Sequence, residues 1–111
     1  MTQEEKDLLL KDLCARLPFN VLVECSINSG ESVDLFLNTS HINEFVNDSL
    51  IIKPYLRLLS SMTEEEKTEL FQLMGNGTDI QRIDFYISHH FDYRGLIEMG
   101  LALEAPEGMY N

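Results

Sequence analysis

At Pro18 the hydrophobic period of this chain changes from that of a helix to that of a strand, and the change constrains the fold more than any other feature. Upstream, Leu9, Leu10, Leu13, Cys14 and Leu17 recur at helical spacing. They follow Thr2 and Glu5, whose separation of three residues is a capping box. Downstream the period is two. Val21, Val23 and Cys25 alternate with Leu22, Glu24 and Ser26, and Val33, Leu35 and Leu37 alternate with Asp34, Phe36 and Asn38. Turn formers fill Ser26 to Gly30, so the two runs are expected to pair as a β-hairpin. A short irregular or helical connection over Ser40 to Val46 leads to the β-rich run Leu50 to Leu56. Pro54 has no N–H to give a ladder, which predicts that this run is an edge strand or stops there.

Beyond Arg57 the pattern is helical. Thr63 with Glu66 forms a second capping box, Leu70, Leu73 and Met74 make the inward stripe, and Gly75-Asn76-Gly77 ends the helix. Thr78 with Gln81 opens a further helix with the stripe Ile80, Ile83 and Ile87, continuing to His90 or Phe91. Asp92 is placed to cap a short last helix through Leu96 and Ile97, ending at Gly100. Leu101, Leu103 and Ala105 alternate as a final short strand, and Glu107 to Asn111 are expected to fray. The expectation is one α+β domain over residues 1–111: an N-terminal helix, a small antiparallel sheet, and a helical C-terminal half packed on that sheet. Its core should join Leu70, Leu73, Ile83, Ile87 and Leu96 to Val21, Val23, Val33 and Leu35.

Charge narrows the function. With 8 basic against 19 acidic residues the formal charge is −11, and no Lys or Arg occurs between Arg16 and Lys53. Glu24, Glu31, Asp34, Glu44 and Asp48 lie in that stretch with no cation beside them in sequence. Such a surface opposes direct nucleic-acid binding and contact with anionic lipid, and attracts a protein with a basic surface. The acidic start lacks the basic and apolar regions of a secretory signal, and no apolar run reaches a membrane-spanning length, so a cytoplasmic location is expected. Cys14 and Cys25 then read as buried free thiols, with a bond between them the lesser alternative.

The densest chemistry is His89-His90-Phe91-Asp92-Tyr93-Arg94. Pairing an imidazole with Asp92 would give an acid/base site, and His89, His90 and Asp92 together would give a metal site. Adjacent histidines on a helix splay apart by about 100°, which opposes both and favours a corner between helices. No cofactor is expected. Lys53, Tyr55 and Arg57 share one strand face, where two cations suit internal salt bridges better than a nucleic-acid backbone.

Two stretches carry a resemblance: Lys53-Pro54-Tyr55-Leu56-Arg57 running into Ser60-Ser61-Met62-Thr63-Glu64-Glu65-Glu66, and His89 through Glu98. Both resemble a family of short uncharacterised proteins of gut Bacteroides-type bacteria and their phages and prophages, and the likeness extends over nearly the whole chain. Where that family often has Pro-Met or Pro-Leu, this chain has Leu58-Leu59, which lets the turn after the strand run differently. The resemblance implies a mobile-element setting, no known activity, and packing of the two stretches on each other. The expected function is a non-enzymatic acidic interaction module, a phage-encoded modulator of a basic host protein. The alternatives are a small enzyme or metal protein using His89, His90 and Asp92, and a structural homo-oligomer joined through the edge at Ile51 to Leu56.

Overall fold

A computed structural model describes residues 1–27 and 30–110. Helix α1 spans Gln3–Arg16, strands β1 and β2 span Leu22–Ser26 and Ser32–Phe36, and helix α2 spans Thr39–Val46. Strand β3 follows at Ile51–Leu56, helices α3 and α4 at Glu64–Asn76 and Asp79–Ser88, and strand β4 at Leu103–Glu104. The α+β class and the order of elements agree with the sequence. The sheet is mixed rather than antiparallel: its order is β2-β1-β3-β4, and the β3–β4 pair is parallel. The turn expected within Ser26 to Gly30 includes Asn28 and Ser29, which lie outside the described residues.

Local chemistry sets the helix starts. Thr2, Thr63 and Thr78 each cap a helix through a reciprocal box with Glu5, Glu66 and Gln81. Asn38 does the same for α2, with His41 in the place usually taken by Glu or Gln. At the end of α3 the chain passes so close to itself that a Cβ on Gly77 would sit 2.5 Å from the Leu73 carbonyl oxygen.

The strand expected at an edge is interior, because β3 lies between β1 and β4. Leu37 N–H donates to the Val21 carbonyl at 3.0 Å, which fixes the alternation along β1 and leaves Val23 opposite Pro54 as a pair that exchanges no hydrogen bonds. Pro54 therefore turns its nitrogen toward the β4 side. The β4 pairing begins only at Tyr55, so no ladder bond is lost.

The core brings Leu9 and Leu13 of α1, Val21 just before β1, Val23 and Cys25 of β1, Ile52 and Leu56 of β3, Phe45 of α2, and Leu96 into one cluster. The expected core is wrong in part. Val33 and Leu35 point to the same face as Val23 and Cys25, yet they are 57% and 39% exposed because β2 extends beyond the helical cover. On α3 no residue is buried, Phe71 and Met74 face solvent, and Ile80 and Ile83 of α4 are exposed. The α3–α4 hairpin leans on the rest of the protein through the base of α4, where Phe85 and Ile87 are buried. Cys14 is exposed rather than buried, because the inner face of α1 is Leu9, Asp12, Leu13 and Arg16.

Residues 92–102 form turns instead of a last helix, interrupted by Gly95 and Gly100 at φ of 75° and 76°. Asp92 still organises them, accepting from Leu96 N–H at 2.9 Å and Ile97 N–H at 3.0 Å. The tail does not fray before Tyr110. Its hydroxyl accepts from Leu22 N–H at 3.0 Å and donates to the Tyr55 carbonyl at 2.7 Å, standing where the next rung of the β1–β3 ladder would be.

Candidate interaction surface

The segment that runs from Lys53 to Glu66 packs on the one that begins at His89. Arg57 N–H donates to His90 O at 2.7 Å, and Asp92 N–H donates back to Arg57 O at 2.9 Å. The Arg57 guanidinium forks onto Glu66 at 2.7 and 2.8 Å and lies 4.3 Å from the centre of the Phe91 ring. With that partner and the Thr63 amide, the Glu66 carboxyl is held down to about 2. Arg57 thus has the internal salt-bridge role expected of it, while Lys53 lies opposite Glu24 and Tyr55 donates to Asp34 at 3.0 Å.

His89 and His90 stand at the end of α4 and face different surroundings. His89 sits 3.2 Å from Glu66 and 3.4 Å from Glu69. His90 has φ of 65°, the left-handed conformation that closes a helix: its N–H reaches Ile87 O at 3.1 Å, and Phe91 N–H reaches Tyr86 O at 2.8 Å. That backbone turn lays the His90 ring on Tyr110, centroids 3.8 Å apart at 15°. Burial first, then the charges of Arg16 and Arg57, lowers His90 to about 4, so it meets the helix end as a neutral ring. Asp92 points both oxygens at backbone N–H groups, away from any imidazole partnership. Among the described residues no three His, Cys, Asp or Glu side chains gather as a metal site.

An open groove of about 810 Å³ runs along this corner past Arg57, His89, His90, Glu107 and Tyr110. Several of its polar groups are occupied by the fold, since Ser61 donates to Leu58 O at 2.7 Å, Thr63 caps α3 and Arg57 holds Glu66, while the buried His90 Nδ1 has no hydrogen-bond partner among the described residues. Beside it lies an ionic knot that the sequence reading missed. Fully buried Asp12 accepts from Arg16 at 2.7 Å and from Arg94 at 3.1 Å, and Arg16 also donates to Phe91 O at 2.7 Å. The spacing of Asp12 and Arg16, one helical turn, was the available signal.

The acidic stretch is where the surface stays open. Every residue of β2 is exposed, Phe36 by 60%. Glu24 and Asp34 are opposed across β1 and β2, and their charges both raise Tyr55, after the larger effect of its burial and the hydrogen bond to Asp34. Burial first, then the charges of Glu44 on α2 and of Asp34, pushes the Cys25 thiol up. Glu31 precedes β2 and is exposed. The expectation that these acids lack cations is corrected at two positions: Lys6 pairs with Asp48, and Lys53 lies opposite Glu24. Glu31, Asp34 and Glu44 make no ion pair among the described residues.

No helix among the described residues is long and apolar enough to cross a membrane. Comparison of the chain with protein-family models, curated proteins and solved structures finds no match.

Proposed function

We propose that this protein is a non-enzymatic interaction module that docks on a basic surface of another protein. The observation that carries the reading is the exposed strand β2 with Glu31 and Asp34, which make no ion pair among the described residues, in a stretch with no Lys or Arg of its own. Unpaired carboxylates around exposed apolar side chains attract and orient a cationic partner, while repelling nucleic acid and anionic lipid. The resemblance to short phage and prophage proteins supports a cytoplasmic setting in which a phage-encoded modulator acts on a basic host protein. His89 faces Glu66 and both Asp92 oxygens accept from backbone N–H groups, so neither carboxylate is free to pair with His90, which favours an interaction role over catalysis.

A pull-down from host lysate at low and raised salt tests this, with Glu31→Gln/Asp34→Asn as the comparison. Charge-directed binding weakens as the Debye length shrinks from about 10 Å at 0.1 M salt. A partner held equally well at high salt and by the double variant overturns the proposal.

A further inference from the structure

β2 is the outermost strand of its sheet, and one hydrogen bond settles which of its backbone groups look outward. Because Leu37 N–H bonds Val21 O, residues 21 and 37 form a bonded pair, and by alternation Val23 with Leu35 and Cys25 with Val33 do the same. The N–H and C=O groups of Ser32, Asp34 and Phe36 therefore point away from β1, and no strand among the described residues takes them. Sheet edges are ordinarily blunted by Lys, Pro, a bulge or a covering segment. Ser32–Phe36 contains neither Lys nor Pro, and its register with β1 is unbroken from Ser32 to Phe36. Its side chains divide by face: Val33 and Leu35 are apolar and open on one side, and on the other Asp34 lies between Ser32 and the exposed Phe36, opposite Glu24 of β1.

We infer that β2 accepts an extended segment of a partner protein as an additional strand, one that alternates apolar residues against Val33 and Leu35 with Lys or Arg against Asp34. Main-chain bonds to Ser32, Asp34 and Phe36 give such a segment its affinity, and the two faces give it its sequence. Charge selects this occupant over a second copy of the chain. Each copy carries −11, and antiparallel self-pairing centred on Asp34 sets two carboxylates directly against each other. The inference rests on the basic-partner reading above and adds the mode of binding.

The test uses the full chain and three peptides: alternating Lys-Val, the same sequence N-methylated at every second residue so that one edge has no N–H, and a Lys-Gly-Ser peptide of equal charge. The alternating peptide is expected to bind at least about tenfold more tightly than the methylated one. It should also slow amide exchange at Ser32, Asp34 and Phe36, and Ser32→Pro in a protein that keeps its dispersed amide spectrum should weaken it. Equal binding of all three peptides, with no protection at those amides, overturns strand addition while leaving the basic-partner reading intact. Failure of every cationic peptide to bind removes both. Sedimentation showing a dimer that protects the same amides assigns the edge to a second copy and overturns the inference.

Discussion

Tyr110 lies flat on His90 with its hydroxyl donating to the Tyr55 carbonyl, so the C-terminal tail, the end of α4 and the β1–β3 ladder meet at one phenol. Tyr110→Phe keeps the stack and leaves the Leu22 N–H and the Tyr55 carbonyl without their partner. Denaturant unfolding should show a loss of about 1–3 kcal/mol, the cost of leaving such groups unpaired away from water. The phenol itself is pushed up to about 12, chiefly by burial, so the bond persists through neutral and mildly alkaline pH.

Acid should weaken the protein in two stages with separate owners. His90 falls from 6.5 to about 4 on folding, so below pH 6.5 the unfolded chain takes up a proton that the folded chain refuses, and stability drops down to about pH 4. Glu66 falls from 4.5 to about 2, and its contribution is present above pH 4.5 and lost toward pH 2. Urea midpoints measured across pH should lose the upper stage in His90→Gln and the lower stage in Glu66→Gln.

Burying Asp12 with Arg16 makes the pair sensitive to loss of one member. Asp12→Ala leaves the Arg16 charge inside the protein, with Arg94 no longer bonded to Asp12. The expected loss is about 3–5 kcal/mol by denaturant titration. A change within experimental error would show that water reaches this site.

The two helices of the hairpin should respond differently to truncation. Ile87→Ala removes a side chain only 5% exposed and should cost about 2–5 kcal/mol. Phe71 is 79% exposed, and Phe71→Ala should stay within about 0.5 kcal/mol.

Thiol chemistry gives a quick check on α1. Cys14 should react with an aromatic disulfide reagent in the native protein, and Cys25 only after unfolding, because Cys25 is buried with its thiolate disfavoured.

Features written in neighbouring residues were legible in the sequence. The threonine capping boxes at Thr2, Thr63 and Thr78 need only a partner three residues away, and Val21, Val23 and Cys25 face inward as their alternation says. Val33 and Leu35 carry the same alternation, but periodicity names a face without saying whether anything covers it. Pro54 reads as an edge marker because the sequence shows its missing N–H and not the side to which the nitrogen turns. The carboxylates of the candidate surface were found by the gap in cations, while the cation that reaches Asp48 comes from Lys6 in another element. Tyr110 bonds Leu22 from 88 positions away, a relationship no local pattern carries.

The Tyr110 hydroxyl also ties completion of the sheet to a residue translated long after its strands. The β1 and β3 strands leave the exit tunnel early, but the rung between Leu22 and Tyr55 waits for a side chain made much later. During that interval the nascent sheet has an open end beside a His90 ring with nothing stacked on it. A chaperone or a slow stretch of translation acting before residue 110 emerges would therefore act on a sheet that is still incomplete.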